Sequence, residues 1–416
     1  MDYLVISSSK IIDMINLLNQ VAAISRKSAE IIEASGERFN MFRVCGVGNH
    51  ENTHSDIIAE FLNPYGSHGQ KHQFLECFIE MLGNKFEISD FNCEGAKVER
   101  EEYVPSGRMD FLIEDEQKKK AIIIESKRPA DTYEINGEQL EKYIADAETK
   151  YGKGNGKKNY QLFYLTIYGD EVPGEYSADK IGYKCLSYSK DIIEWLEKCV
   201  AIDVRYPAVK ETIIQYINYL KALTNQDTKS KSENEILELI SKPENLKDTK
   251  HIYHSYRSII PGTEIAEAEE FIYFNYSAIF NILAKKYFYP KMIEFSKERG
   301  LEFITYDTVV HETYIPFDLK YNDKYCINFR PNAPNFDYTI SSSEDLDPEN
   351  EIIKAVRKKL EPISYTDNKK CLVWKRDRVD INIDTWQKDI IESDNFFNDC
   401  KKRIEELLTA MEMLEH

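Results

Sequence analysis

Apolar residues along this chain recur with two periods, one helical and one strand-like, and their alternation sketches the architecture. Behind a serine cap at Ser9, Ile11, Ile12, Ile15, Leu18, Val21 and Ala22 fall at helical spacing, which predicts a helix continuing to about Ala34. The stretch GRMDFLIEDEQKKKAIIIESKRP, Gly107 to Pro129, reads as two short strands, Met109 to Ile113 and Ala121 to Ile124, joined by a charged connection from Glu114 to Lys120. Gly137 to Ala147 then has the spacing of a helix, and Gln161 to Tyr168, QLFYLTIY, that of a further strand. Helices follow at Asp191 to Val200 and Pro207 to Leu223, the latter with proline in its first turn.

Thr224 to Glu235 contains no apolar residue and reads as a linker. Beyond it, helices are expected from about Ile236 to Arg299, and strands near Phe303–Tyr306, Thr313–Leu319, Tyr325–Phe329 and Tyr338–Ser341. A helix at Glu349–Leu360, a strand at Cys371–Trp374 and a closing helix from Thr385 to about Leu414 complete the pattern. The domain expectation is therefore an N-terminal helical segment at 1–48, an α/β domain at 49–223, a linker at 224–235 and an α+β domain at 236–416. No internal repeat is visible. The aromatic run EEFIYFNYSAIF reads as core, because a base-stacking platform needs a basic groove around it and none is evident.

Composition narrows the function. A chain of 416 residues accommodates two or three domains. Its formal net charge of -18 excludes a globally basic nucleic-acid binder and leaves phosphate contacts to local patches. The eight cysteines show no C-x-x-C spacing and read as reduced thiols. No cationic leader and no apolar run of about 18 residues is found, so a cytoplasmic protein without a membrane anchor is expected.

The chemistry concentrates at the end of the predicted hairpin. A strand buried on both faces should end in neutral residues, yet this one ends in Glu125, Ser126 and Lys127, with Asp110 near the start of its partner. Glu125 and Lys127 project to the same side because side chains alternate along a strand. Pairing of the two strands brings Asp110 toward Glu125, and two carboxylates at the edge of an apolar sheet repel unless a hard divalent cation sits between them. Lys127 then lies where an ammonium can orient an attacking water.

This D-x14-E-x-K arrangement resembles the PD-(D/E)xK nuclease superfamily, over roughly Asn49 to Gly169; Met109 stands where the family name has proline. The resemblance implies a restriction-endonuclease-like α-β-β-β-α-β core with a mixed sheet and cleavage of phosphodiesters with Mg2+ or Mn2+. It makes Asp110, Glu125 and Lys127 catalytic and gives the metal the Asp110 and Glu125 carboxylates and the Ser126 backbone carbonyl. Some members carry a segment similar to N-E-N-T-H-S before a helix ending in L-N-P; here Asn49 to Ser55 and Leu62-Asn63-Pro64 match it. That similarity points to Glu51 as the helix carboxylate reaching the metal through water, with Glu60 as its substitute, and to His54 and His68 as substrate or supporting contacts. Gln139 and Tyr143, four apart on one helix face, resemble a Q-x3-Y pair that contacts nucleic acid or steadies the site in related nucleases.

Arg108 joins the substrate-binding set. The loop YGKGNGKKNY lacks the glycine spacing of a phosphate-binding P-loop, but Lys153, Lys157 and Lys158 can grip phosphates. The implied partner is nucleic acid, DNA by preference, in a bacterial defence or DNA-processing setting; a homo-oligomer or protein contact is assigned to the C-terminal domain. Two alternatives stay open. HENTH fits H-E-x-x-H, a zinc peptidase signature with His50 and His54 as ligands, Glu51 as general base and Glu76 as third ligand. Against it, Gly46, Gly48 and Asn49 put His50 at or before a helix start, where two imidazoles would not converge. The other alternative is a catalytically silent module on the nuclease fold.

Overall fold

The computed structural model describes residues 8–47, 51–85, 90–127, 137–154, 157–172, 176–256, 263–305, 316–332, 335–360, 369–378 and 382–414; at positions 8–10, 51, 84, 153, 154, 157, 331, 332, 335 and 378 only the backbone is described. Asn49, His50, Arg128, Pro129 and positions 306–315 of the expected strands lie outside these residues. The chain divides into two compact units, residues 30–231 and residues 1–29 with 232–416.

The first unit is organised on a five-stranded mixed sheet. Only the last turns of helix α1 (Ser8–Ser35), from Glu30, belong to this unit, the earlier ones packing Leu17, Leu18, Val21 and Ala22 into the core of the second; α2 (Met41–Val44), α3 (Glu51–Leu62) and α4 (Gln73–Leu82) follow. The strands β1 (Lys97–Val104), β2 (Gly107–Asp115) and β3 (Lys120–Ser126) pair antiparallel in sequence. Helix α5 (Gly137–Tyr151) supplies the crossover that a parallel neighbour requires, and after a two-stranded ribbon, β4 (Lys153–Gly154) and β5 (Lys157–Lys158), β6 (Tyr160–Thr166) pairs parallel with β3. A short α6 (Ala178–Ile181) leads to β7 (Lys184–Ser187), giving the order β1-β2-β3-β6-β7. Helices α7 (Ile193–Ala201) and α8 (Pro207–Leu223) close the unit. The expected α-β-β-β-α-β order with a mixed sheet is present.

Why β3 is so apolar is now plain. Ile122 and Ile124 face a core shared with α3, α4, α7 and α8, whereas Ala121 and Ile123 face one built with Leu140, Tyr143 and Ala147 of α5. A strand covered on both sides reads as a continuous β-branched run. Gly137 opens α5 because a Cβ there would stand 2.2 Å from the Tyr176 ring. The sequence pattern missed β1. Its residues, KVEREEYV, alternate poorly because it is an edge strand of mostly half-exposed side chains.

The first unit's core also holds an imidazole. His54 of α3 is buried among Tyr188, Tyr216 and Tyr219, and its Nδ1 lies 2.8 Å from the Tyr216 hydroxyl. Burial lowers its pKa from 6.5 to about 4.

The second unit is α+β. After α9 (Thr228–Ile240), the helices α10 (Leu246–Ser255), α11 (Glu264–Leu283) and α12 (Tyr289–Glu298) precede an antiparallel sheet of β8 (Glu302–Thr305), β9 (Phe317–Lys320), β10 (Tyr325–Asn332), β11 (Asn335–Ser342) and β12 (Cys371–Arg378). Between β11 and β12 lies α13 (Glu351–Leu360); α14 (Ile383–Thr385) and α15 (Asn395–Met411) end the chain's described part. EEFIYFNYSAIF falls on α11, where Ile272, Tyr276, Ile279 and Phe280 are core, while Tyr273 and Phe274 are exposed. The expected linker at 224–235 is mostly helix: Asp227 accepts from the Ser230 amide, and Ile236 and Ile240 are buried at the far end of α9. The boundary between the two units, at Lys231 and Ser232, nonetheless falls within this segment, whose TKSKSENE consists of residues compatible with an exposed helix start. The division between the units falls inside α1 and α9.

Two outcomes follow from this packing. Ile122→Ala, at a fully buried position, is expected to lower unfolding free energy in urea by about 2–5 kcal/mol; a loss below about 1 kcal/mol would show that the β3 contacts are not made. For His54, the folded pKa lies below the unfolded one, so the unfolded state binds more protons between about pH 6.5 and about pH 4. Stability contributed by the neutral ring is complete above that window and falls as pH drops through it, by on the order of 3 kcal/mol at most. His54→Asn should flatten this acid-side loss, and a proton resonance assigned to the His54 imidazole that titrates near pH 6.5 in the native protein would refute the buried placement.

Candidate active site

The register of β2 on β3 pairs Phe111 with Ile124, so the next positions along the two strands are Asp110 and Glu125. The Ser126 amide donates to Asp110 Oδ2 at 2.8 Å, which ties the aspartate directly to the end of β3. Lys127 Nζ stands 2.6 Å from Glu125 Oε1, and the Glu125 side chain is 2% exposed. Asp110, Glu125, Ser126 and Lys127 are thus gathered at one end of the buried hairpin, on adjacent strands. The Ser126 hydroxyl lies 3.1 Å from that of Tyr188, fixing the turn-out of the strand from below.

Electrostatics follow from this crowding. Burial pushes the Asp110 carboxyl above its ordinary pKa; the Ser126 amide and the positive charges of Lys127 and Arg100 pull it back down, and Glu101 pushes it up. Hard oxygen donors in this arrangement suit Mg2+ or Mn2+ far better than a thiol- or imidazole-seeking metal. The donor set fits such an ion only in part from side chains. Among the described residues no group of three or more His, Cys, Asp or Glu side chains stands ready to hold a metal, so Asp110 and Glu125 need a backbone oxygen, water or a further carboxylate beside them.

A local irregularity aims Asp110. Phe111 and Ile113 lie in one core cluster and Met109 and Leu112 in the other, so strict alternation breaks at Asp110. Opposite it, the pairing steps from Arg100–Phe111 to Glu102–Met109, and the intervening Glu101 has φ +53°, a conformation few non-glycine residues adopt. The register itself runs unbroken past this point, so the irregularity is conformational, with no inserted residue.

The remaining predicted site residues separate into several groups. Glu51 begins α3, and its side chain lies outside the described residues, as do those of Lys153 and Lys157, whose backbones form the β4–β5 ribbon. Arg108 is half-exposed on β2, 3.4 Å from Glu101. Gln139 and Tyr143 do share a helix face, but they turn inward: Gln139 donates to the Tyr143 hydroxyl, which donates in turn to the Arg108 carbonyl. Tyr143 is fully buried, and burial together with the nearby Glu125 raises its pKa to about 12. The pair braces β2 two residues before Asp110.

The histidine expectations change more. His54, expected at the substrate, is a core residue for the reasons given above. His68 stacks on Phe74 at 4.8 Å, accepts from the Gln70 amide at Nδ1 and donates from Nε2 to the Asn63 carbonyl, so both ring nitrogens are spent on the loop after α3. Glu60 accepts from the Ser67 amide and hydroxyl and belongs to the same loop. The zinc arrangement gains nothing: His54 is buried, Glu76 is exposed and faces His72 at 3.6 Å, and His50 lies outside the described residues. What the sequence reading missed is β1, with Arg100 and Glu101 flanking Asp110. The only signal for them was a run of mixed charges just before the motif.

Comparison with known proteins agrees with this geometry. Residues 39–218 match the family model of the PD-(D/E)XK nuclease superfamily, a span that lies wholly within the first unit. No curated protein and no solved structure gives a match. No helix among the described residues is long and apolar enough to cross a membrane. The matched span carries the Asp110, Glu125 and Lys127 hairpin, and it is through these residues, less than half of the chain, that the protein is similar to the PD-(D/E)XK nuclease superfamily.

Proposed function

We propose that the protein is a Mg2+- or Mn2+-dependent nuclease that hydrolyses phosphodiester bonds of DNA. The observation that carries this reading is the gathering of Asp110, Glu125 and Lys127 at one end of the β2–β3 hairpin, with the Ser126 amide holding Asp110 in place. Asp110, Glu125 and the Ser126 carbonyl present the oxygens for the ion, and Glu51, on the first turn of α3, completes the set through water. A divalent ion bound there supplies Lewis-acid polarisation of the scissile phosphate and a lowered pKa for the attacking water.

The chain's own groups do the rest. The Ser126 N–H fixes which face of the Asp110 carboxylate points outward. Lys127, held beside Glu125, is placed to orient the water for in-line attack and to offset negative charge that develops on the phosphate. No side chain is required as a covalent nucleophile. Arg108, Lys153 and Lys157 are assigned to the DNA backbone, which a protein of net charge -18 must hold through local cations.

Asp110→Asn and Lys127→Ala are each expected to reduce Mg2+-dependent DNA cleavage by about a hundred-fold or more while leaving the far-ultraviolet circular dichroism unchanged. Wild-type rates in either purified, folded variant would refute the assignment. Cleavage of RNA with DNA left intact would retain the chemistry and replace the substrate.

A further inference from the structure

The family match and the motif leave one partly buried cation without a task. Arg100 of β1 pairs with Phe111, the residue after Asp110, and its side chain is 16% exposed. Its Nη1 donates to the Asn52 carbonyl at 3.1 Å and to the Asp56 carboxylate, both on α3. The guanidinium carbon lies 5.6 Å from the centre of the Phe111 ring. Its Nε is buried and, among the described residues, has no hydrogen-bond partner. A buried donor left unsatisfied is unfavourable, so this rotamer is dictated by what Nη1 and the ring hold.

We infer that Arg100 is a positioning residue: it fastens the first turn of α3 to the strand edge beside Asp110 and so sets where Glu51 stands relative to the Asp110 and Glu125 pair. The inference rests on the proposed role of Glu51 as the third carboxylate. Asn52 directly follows Glu51, so holding its carbonyl fixes the helix start itself. The later turns of α3 are held differently, by Ile58, Ala59, Phe61 and Leu62 in the core. On the core side, His54 and Ser55 also bury the opening turns, with His54 held by Tyr216, but these contacts face away from β1 and leave the attachment of the helix start to that strand to another group. That attachment takes a directional contact, and only a planar guanidinium can lie over Phe111 while sending an N–H to a carbonyl and a carboxylate together. Arg100 therefore acts on the metal site through α3, without touching substrate.

The test uses the full chain with Mn2+ as probe. In Arg100→Met, amide hydrogen exchange over residues 52–56 should accelerate, Mn2+ affinity should fall about 10- to 100-fold, and kcat should fall with KM for DNA little changed. Arg100→Lys should restore the charge and recover little. Asp56→Asn, at an exposed carboxylate that cannot endanger the core, should move exchange and Mn2+ affinity in the same direction by a smaller factor. The sign of the Mn2+ shift discriminates. A cation that merely neutralised the carboxylates would, on removal, leave tighter Mn2+ binding, and tighter or unchanged binding in folded Arg100→Met overturns the inference. Unchanged exchange over residues 52–56 in both Arg100→Met and Asp56→Asn overturns it as well, whether or not the wild type cleaves DNA. Failure of the wild-type protein to bind Mn2+ or cleave at all strikes the proposed function instead.

Discussion

The contact on which the site depends is the hydrogen bond from the Ser126 amide to the Asp110 carboxylate. It joins the open end of β2 to the end of β3, which like its neighbour β6 is buried on both faces along nearly its whole length. Because β3 is fixed by two hydrophobic layers, whatever is tied to its end inherits that rigidity. Two carboxylates and an ammonium can then be held close together at an apolar edge, a state that would relax by repulsion or solvation if the strand could move. The cost is visible in the raised pKa of Asp110, whose largest cause is burial. The divalent ion of the proposed function would relieve this carboxylate desolvation.

Around that contact the structure uses backbone irregularity and side-chain bracing in complementary ways. The positive φ of Glu101 and the broken alternation at Asp110 turn the aspartate out of the regular pleat. Tyr143, reaching from α5 to the Arg108 carbonyl, holds the same strand just upstream of the break. On the other face, Arg100 reaches from β1 to α3. The irregular point is thus bounded by a helix contact on each side of the sheet, which is how a strained backbone position persists in a folded protein.

Histidines illustrate how far composition can mislead. Four of the eight fall between residues 50 and 72, and such density invites a metal or catalytic reading. His54 and His68 instead answer two structural problems: filling an aromatic core with a ring that still bonds Tyr216, and closing the loop after α3 with two backbone contacts. A lowered pKa at His54 is the mark of burial rather than of catalysis.

The sequence by itself determined the parts that follow local rules. A β-branched run ending in E-S-K marks β3 and its charged end. Period-two and helical spacing set the order of strands and helices, and the motif's D-x14-E-x-K spacing placed the acids on neighbouring strands. It could not determine the direction in which α3, α5 and β1 present their side chains. Glu60, Gln139, Tyr143 and His54 all sit on helices whose faces are chosen by packing, which sets Gln139 and Tyr143 to brace β2, the steadying one of their two expected roles, and puts His54 in the core. β1 carried no apolar alternation because it is an edge strand, and with it Arg100 and Glu101 escaped notice. Their place beside Asp110 depends on antiparallel pairing across the β1–β2 turn and on the helix they touch, contacts between residues about ten and nearly fifty positions apart in the chain. Only the folded chain brings those positions together.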